Sequence, residues 1–239
     1  MNILISGGSK GLGLNVCEHL LENSENRVFT FARAETDSVR SLRKKYDNFY
    51  FENFDLLQSS EIINFVKKIE ADFGLVDCLI NNAAVGYDGV LATMHDTEIT
   101  DSIAINITSQ ILLTKYCIKH MLRLKKGNII NISSILSKTG FNGLSVYGFA
   151  KSGQVGFTKS LARELGKVNI RVNCILPGFM ETDMTKSISS DNLARISKRS
   201  PMKRLPSTRS ISFMVDYLIS DKSIDITGQT FTIDCGSTS

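Results

Sequence analysis

Short apolar runs alternate with amphipathic segments along the whole length of the chain. Seven of these runs have the length and composition of strands, and they lie at about Asn2–Ser6, Arg27–Ala32, Phe49–Asp55, Val76–Asn81, Gly127–Ser133, Ile170–Leu176 and Thr230–Ile233. Several of them are apolar at consecutive positions rather than at alternate ones. Such runs indicate strands that are covered by helices on both faces of a sheet.

Between the strands, apolar residues recur with helical spacing. The helical patterns lie at about Leu12–Asn23, Asp37–Tyr46, Ser59–Phe73, Asp96–Leu124, Val146–Gly166 and Ser210–Ser220, the fourth being two pieces or one bent helix. Repeated strand–helix–strand order predicts parallel strands joined by right-handed crossovers. Since no repeat or linker divides the chain, we expect one α/β domain over residues 1–239. Its fold should be a Rossmann-type doubly wound sheet of about seven parallel strands with helices on both faces.

Composition and charge exclude several classes of protein. The chain is 42% apolar and 22% charged, as in globular proteins, and no apolar run approaches the roughly 18 residues of a membrane helix. The first residues enter a strand with no basic start or cleavage site, so we expect a cytoplasmic protein. The net charge of +4 is too small and dispersed to predict nucleic-acid binding. The five cysteines and three histidines show no metal-ligand spacing, so no metal site is expected.

A glycine-rich turn joins the first strand to the first helix. Its sequence, Ser6-Gly7-Gly8-Ser9-Lys10-Gly11-Leu12-Gly13, contains the pattern GxxxGxG. Glycines allow a tight turn and a close approach to a pyrophosphate, while free N–H groups and the helix dipole favour an anion. A glycine-rich turn without a ligand is the alternative. We expect the cofactor contacts to come from Gly7, Ser9, Lys10, Gly11, Leu12 and Gly13.

The end of the second strand bears on which dinucleotide is bound. An acidic residue there would accept hydrogen bonds from a ribose 2′-hydroxyl, whereas an arginine accommodates a 2′-phosphate. The strand ends without an acid and is followed by Arg33, and Lys10 in the glycine turn adds a second cation. These cations favour NADP(H), although Glu35 and Asp37 follow closely and leave NAD(H) as the alternative.

Further polar residues stand at strand ends or inside helical patterns. Asp55 is placed to bond an adenine amino group beside Leu56, although it could also be a helix N-terminal acid. Asn82 and Ala83 end the fourth strand, where small residues let the backbone pass close to a flat ligand, unless they serve only the turn. Asn106 lies inside an apolar helical pattern, where its side chain needs a partner.

A serine, a tyrosine and a lysine follow the fifth strand. Ser134 comes at the strand's end, and Tyr147 and Lys151 are four residues apart, which places them on one face of a helix. A hydroxyl facing a phenol that is backed by an ammonium suggests proton transfer to or from an alcohol oxygen. Taken alone, a tyrosine with a helical lysine neighbour is more often a surface pair.

Together these motifs resemble the classical short-chain dehydrogenases/reductases, and within them bacterial 3-oxoacyl-[acyl-carrier-protein] reductases are the most similar. The resemblance covers nearly the whole chain. It rests on GxxxGxG at 7–13, NNA at 81–83, Asn106, Ser134, YxxxK at 147–151, the stretches 159–164 and 177–185, and ITGQ at 226–229.

The resemblance implies a role for each matching residue. Tyr147 would be the general acid, Lys151 would lower its pKa and bond the nicotinamide ribose, and Ser134 would polarise the substrate carbonyl. Asn106 would fix a water that links Lys151 to solvent. Pro177, Gly178 and Thr182 would contact the cofactor, with Thr182 on the nicotinamide carboxamide. A lid segment at about 180–202 and a homotetramer or homodimer are also implied.

The substrate is left open among three interpretations. The first is NADPH-dependent reduction of a 3-oxoacyl thioester, carried on acyl carrier protein, in fatty-acid or specialised polyketide-like synthesis. The second is a reductase or dehydrogenase of another ketone, sugar or secondary alcohol, and the third is a non-catalytic dinucleotide sensor. Arg123, Lys125 and Lys126 are expected near the mouth of the site, where a carrier could dock, unless they are only a solvated helix end.

Overall fold

The computed structural model describes residues 1–182, 185 and 190–239. Within them, seven strands form one sheet: β1 (Asn2–Ser6), β2 (Arg27–Ala32), β3 (Phe49–Asn53), β4 (Cys78–Asn81), β5 (Gly127–Ile132), β6 (Ile170–Pro177) and β7 (Thr230–Ile233). All neighbouring strands pair in parallel. The predicted parallel sheet is therefore confirmed, with strand ends that differ from the predicted ones by at most two residues.

The strand order places one crevice at the centre of the sheet. The order is β3-β2-β1-β4-β5-β6-β7, so the chain moves outward from β1 in one direction and then returns to pair β4 on its other side. In such sheets, ligands bind outside the carboxyl ends of the strands where the direction reverses. This point lies just beyond Ser6 in β1 and Asn81 in β4.

Two apolar layers cover the faces of the sheet. All five residues of β1 are buried, because Ile3 and Ile5 pack into one layer and Leu4 into the other. Side chains alternate across a strand, so a run that is apolar at every position must be covered on both faces. This explains why the central strands show no polar alternation in the sequence.

Eight α-helices are found among the described residues. They are α1 (Gly11–Leu21), α2 (Asp37–Lys45), α3 (Ser59–Phe73), α4 (Asp96–Ile103), α5 (Ser109–Leu124), α6 (Ser145–Leu165), α7 (Ser190–Arg199) and α8 (Thr208–Ile219). A π-helical turn, Ala104–Thr108, joins α4 to α5, so the stretch expected as two pieces or one bent helix consists of two α-helices with this turn between them. None of the described helices is long and apolar enough to cross a membrane.

The predicted lid segment at 180–202 is described only in part. Its residues 183–184 and 186–189 lie outside the described part of the chain. The sequence showed no helix there, whereas the structure has α7. The reason is that only Leu193 and Ile196 mark an apolar face on that helix, too few positions to reveal helical spacing.

Candidate active site

The glycine turn after β1 has the geometry of an anion-binding loop. Gly7 adopts φ +74°, which side chains rarely tolerate, and a Cβ on Gly13 would lie only 2.2 Å from the carbonyl oxygen of Gly7. Lys10 caps α1 without a side-chain hydrogen bond, and the first turn of α1 contains no acidic residue. The N–H groups that begin this helix are therefore left for an anion. Gly13 is buried against the carbonyl group of Gly7, and its lack of a side chain allows the tight turn.

A set of hydrogen bonds joins this turn to the end of β4. The buried hydroxyl oxygen of Ser6 accepts from the N–H groups of Asn82, at 3.0 Å, and Ala83, at 2.9 Å. The Asn82 amide donates back to the carbonyl oxygens of Ser6 and Gly7. Gln110 of α5 donates to the carbonyl oxygen of Ala83 at 2.8 Å. Asn82 and Ala83 thus line the central crevice, as expected, and their backbone is held at a fixed distance from Gly7.

Arg33, one of the two cations expected to select the dinucleotide, lies at an open cavity. A cavity of about 360 Å³ is lined by Arg33, Asn53, Phe54, Asp55, Gln58 and Glu61. The side chain of Arg33 is exposed, and so is that of Lys10. Glu35 pairs with Arg43 at 2.9 Å and Asp37 pairs with Arg40. The two acids that kept NAD(H) as an alternative are therefore paired with arginines of α2. This pairing favours binding of a 2′-phosphate, and so NADP(H).

Other predicted cofactor residues lie along the same edge of the sheet. Gly178 donates its N–H to the carbonyl oxygen of Ile233 at 2.8 Å and continues β6 beyond Pro177, while Leu56 packs partly buried beside Asp55. A Cβ on Gly11 would lie 3.6 Å from the Cβ of Thr182. This places Thr182 beside the phosphate-binding turn, whereas the resemblance implies a bond to the nicotinamide carboxamide.

Helix α6 is tied to the end of β5 at Lys151. Its ammonium donates to the carbonyl oxygen of Ile132 at 2.8 Å, and the Ser133 hydroxyl donates to the carbonyl oxygen of Lys151 at 2.7 Å. The Lys151 side chain is buried, and its Nζ lies 5.7 Å from the ring centroid of Tyr147. The structure therefore brings Tyr147 and Lys151 to the carboxyl end of β5, directly beside Ser134.

Ser134 begins a short 3₁₀ turn, Ile135–Ser137, that packs against α6. Its hydroxyl oxygen accepts from the N–H of Leu136 at 3.2 Å, so the side chain is held by its own turn. The hydroxyl hydrogen is left to donate elsewhere, and the side chain is only partly buried. Ser134 is therefore arranged as a hydrogen-bond donor at the edge of the crevice.

Burial shifts the ionisation of both Tyr147 and Lys151. Burial raises the pKa of Tyr147 to about 12, although part of its side chain reaches the surface. Burial also lowers the pKa of Lys151 to about 8. The net shift of the Tyr147 pKa is therefore upward, because burial disfavours the charged phenolate. That the Lys151 ammonium lowers this pKa from its raised value stays a prediction.

Asn106 lies in the π-helical turn with its side chain fully buried. Its amide oxygen accepts from the N–H of Val85 at 2.9 Å, and its amide nitrogen donates to the Val85 carbonyl oxygen at 2.8 Å and to Ser102 at 3.1 Å. Both amide donors are thus used within the protein. The side chain clamps the loop after β4, so a water linked to Lys151 would have to bond main-chain groups of this turn.

The basic residues at the end of α5 lie elsewhere than expected. Arg123 pairs with Glu70, and Lys125 and Lys126 precede the first residue of β5. Ser134 comes two residues after the last residue of the same strand, so these basic residues and the predicted catalytic groups lie at opposite ends of the strands. Within one chain, the expectation that these cations surround the mouth of the site is wrong.

Several residues of the site were not singled out from the sequence. Ser6, Gln110, Thr36 and Gln154 all bond groups of the crevice. The Thr36 hydroxyl donates to the carbonyl oxygen of Ser9 at 2.9 Å and so ties the loop after β2 to the glycine turn. A polar residue within an otherwise apolar helix face was the available signal for Gln110 and Gln154, as it was for Asn106.

A dinucleotide fits these residues in chemical terms. Uncapped N–H groups at the start of α1 suit a pyrophosphate, and the exposed guanidinium of Arg33 beside the 360 Å³ cavity suits a phosphorylated ribose. The small Ala83, which lies against Gly7, leaves space for a flat ring system between β1 and β4. The crevice therefore offers an adenine end, a phosphate centre and a reactive end beside Tyr147.

Comparisons with known proteins found matches over most of the chain. The model of the short chain dehydrogenase family matches residues 1–193. The chain is 35% identical to the 3-oxoacyl-[acyl-carrier-protein] reductase FabG of Escherichia coli (strain K12) over 238 residues, which is 98% of this chain and 95% of that protein. The solved structure of ElxO with NADP bound has a TM-score of 0.91 at 32% identity and covers 99% of this chain and 98% of that one.

A variant of actinorhodin polyketide ketoreductase with NADPH has the same TM-score of 0.91 at 30% identity, covering 99% of this chain and 96% of its own. The family match spans the glycine turn, Asn106, Ser134 after β5, and the Tyr147 and Lys151 side chains of α6. The resemblance expected from the motifs is confirmed, and the chain belongs to the short-chain dehydrogenase family.

Proposed function

We propose that this chain is an NADPH-dependent oxidoreductase that reduces a 3-oxoacyl thioester, carried on acyl carrier protein, to the 3-hydroxyacyl product. The observation that carries the proposal is the attachment of Tyr147 and Lys151 to the end of β5 beside Ser134, at the same sheet edge as the glycine turn. The substrate class rests on the similarity to the reductase of Escherichia coli, and the cofactor on the NADP and NADPH bound in the two solved structures. Fatty-acid or related polyketide synthesis is the corresponding pathway.

The residues of the crevice would hold the cofactor at three points. The N–H groups that begin α1 would bind the pyrophosphate, Arg33 and Lys10 the 2′-phosphate, and Lys151 the nicotinamide ribose. When bound, NADPH supplies the hydride that the carbonyl carbon accepts.

The side chains of the chain itself handle the carbonyl oxygen. The Ser134 hydroxyl donates a hydrogen bond to this oxygen and polarises the carbonyl. The phenol of Tyr147 gives the oxygen its proton, so the product is the neutral alcohol and the tyrosine is left as phenolate. The Lys151 ammonium stabilises this phenolate by its charge.

Exposed apolar side chains near the catalytic groups favour an acyl substrate. The loop after β4 and the loop before α6 are joined by a 3.0 Å hydrogen bond from the Gly89 N–H to the Gly143 carbonyl oxygen. Val90, Leu91 and Phe141 on these loops are each more than half exposed. Large apolar side chains exposed together typically mark a binding surface, and an acyl chain is the part of the proposed substrate that they would cover.

A basic segment, residues 193–209, favours a carrier-bound substrate. It contains six exposed cations and no acidic residue: Arg195, Lys198, Arg199, Lys203, Arg204 and Arg209. None of the six forms an ion pair within the described part of the chain. The segment returns to the carboxyl edge of the sheet at Pro206, which lies near Gly178. Phosphopantetheine carries a phosphodiester, so unpaired cations at this edge suit a carrier better than a free ketone.

Turnover of matched substrates tests this proposal. We expect NADPH oxidation with acetoacetyl-carrier protein, and replacing Arg195, Lys198 and Arg199 by serine should raise KM for it about tenfold at low salt, with little change for a free β-ketoester. As a control, Lys125→Ser with Lys126→Ser should leave both KM values unchanged.

The other outcomes identify the alternatives. Equal turnover of carrier-bound and free ketones, or a preference for a sugar or a secondary alcohol, would favour a reductase of another substrate. A raised KM only in the Lys125 and Lys126 variant would move the docking surface to the opposite edge. Tight NADPH binding without turnover of any of these compounds would favour a dinucleotide sensor.

A homotetramer is the proposed assembly, and a cytoplasmic location stays a prediction. Ile111 and Leu122 on α5 and Phe149 on α6 are exposed apolar side chains on the two longest of the described helices, where other copies of the chain would cover them. Light scattering should give about four times the chain mass of 26.5 kDa. A mass of one chain would contradict the proposed assembly, and a mass of two would support a dimer.

A further inference from the structure

Gln154 is a buried carboxamide directly beside the lysine of the site. It follows Lys151 by three residues on α6 and is only 5% exposed. Its Oε1 accepts from the Lys151 ammonium at 3.4 Å, whereas its buried Nε2 has no hydrogen-bond partner among the described residues. Burying an unpaired amide donor costs free energy, and a methionine or leucine at this position would avoid that cost. The side chain therefore needs an explanation other than packing.

The surroundings of the Lys151 ammonium give that explanation. The ammonium has three N–H donors, and the Ile132 carbonyl oxygen and the Gln154 amide oxygen accept two of them. The titratable groups that face it are Tyr147 on α6 and Cys174 on β6. Burial raises the pKa of Cys174 to about 11, so both groups are neutral near pH 7. Within the described residues, no carboxylate compensates the buried charge.

We propose that Gln154 is a positioning residue, which holds the Lys151 ammonium at the end of β5 in its charged form. With two donors held by Ile132 and Gln154, the third is left for the ligand that occupies the crevice. An amide oxygen can accept a hydrogen bond from the ammonium without neutralising its charge, whereas a carboxylate would form an ion pair with the ammonium. The inference rests on the proposed function for the role of Lys151, but the contact itself is independent of the substrate.

Two substitutions at this position should move the pKa of Lys151 in opposite directions. Gln154→Met keeps the length of the side chain but removes the acceptor, so the ammonium loses a favourable bond and its pKa should fall by about half a unit to one unit. Gln154→Glu places a negative charge beside the ammonium, so the pKa should rise by about one unit or more. A change in packing alone would not shift the pKa of Lys151 in opposite directions in the two variants.

The pKa can be measured without turnover. The ¹³Cε chemical shift of Lys151 in protein labelled at lysine is followed against pH, and the signal is assigned by its loss in Lys151→Arg. In the rate profile of the wild type and both variants, the alkaline limb of kcat/KM should shift in the same direction as this pKa. Loss of turnover with intact pKa shifts would contradict the proposed function but not the role of Gln154.

Thr158→Val is the matched control on the same helix. Thr158 is fully buried, donates to the Gln154 carbonyl oxygen at 2.8 Å and accepts from Asn131, but it does not touch the ammonium. Its replacement should lower Tm and leave the pKa of Lys151 unchanged. Should Gln154→Met fail to fold, Gln154→Leu makes the same test. Shifts of the same sign in the Met and Glu variants, or no shift in either, would overturn the proposal.

Discussion

Replacing Tyr147 by phenylalanine should lower kcat for ketone reduction by about 10²- to 10⁴-fold. The change removes only the phenol oxygen, which is the proposed source of the proton. The ring remains beside Lys151, where its centroid lies 5.7 Å from Nζ, so the packing of α6 on β5 is retained. We therefore expect Tm and NADPH affinity close to those of the wild type.

The pKa values of the two side chains give this reaction a pH dependence. Burial raises the pKa of Tyr147 to about 12, so the tyrosine is in its neutral, proton-donating form near pH 7. The pKa of Lys151 is lowered to about 8, so the charge that stabilises the phenolate is present below that pH and is lost above it. Reduction by the wild type should therefore weaken as pH rises through about 8. Oxidation of the alcohol requires the phenolate, so its rate should rise only as pH approaches the raised pKa of Tyr147.

Tyr46→Phe serves as the control for this substitution. Tyr46 follows the last residue of α2 and belongs to no part of the crevice, so its replacement should leave kcat unchanged. Rates are measured with saturating acetoacetyl-carrier protein, and cofactor binding is measured separately by NADPH fluorescence. A near-normal kcat for Tyr147→Phe with bound substrate would show that another group supplies the proton.

The parts of the fold that depend on local patterns could be predicted from the sequence. β1 shows why, because Ile3, Leu4 and Ile5 must be covered on both faces and this requires a helix layer on each side. Gly7 and Gly13 were equally informative, since each stands where a Cβ would be strained or would clash. Such constraints act within a few residues, so the order of the residues alone reveals them.

The parts that depend on distant groups could not be predicted. The apolar helical pattern around Asn106 predicts that its side chain needs a partner but not which one, and the partner is the backbone of Val85, 21 residues earlier in the chain. The direction of the Tyr147 pKa shift depends on how deeply α6 is buried. Lys125 and Lys126 lie at the opposite end of β5 from the one predicted, because they precede the strand whereas Ser134 follows it, and the length of the strand separates them.

Arg33→Ala should lower the preference for NADPH over NADH by about 10- to 100-fold, measured as the ratio of the two kcat/KM values. A charge-assisted hydrogen bond to a phosphate contributes about 1.5–3 kcal/mol, and each 1.4 kcal/mol corresponds to a factor of ten. Only NADPH carries the 2′-phosphate that the guanidinium would meet, so most of the loss should fall on NADPH. Lys10→Ala should have a smaller effect of the same sign, because lysine offers a point charge without the paired donors of arginine.

Lys44→Ala is the matched control, because it also removes one exposed cation from the segment that follows β2. Lys44 lies outside the cavity that Arg33 lines and forms no ion pair within the described residues, so its loss releases neither Glu35 nor Asp37 and should leave the ratio nearly unchanged. Arg43→Ala tests the acids directly, since it releases Glu35 from its 2.9 Å ion pair. A free carboxylate can accept hydrogen bonds from a ribose 2′-hydroxyl, so this variant should gain activity with NADH. If Arg33→Ala left the ratio unchanged, the selection of the 2′-phosphate would have to come from residues other than the arginine at the end of β2.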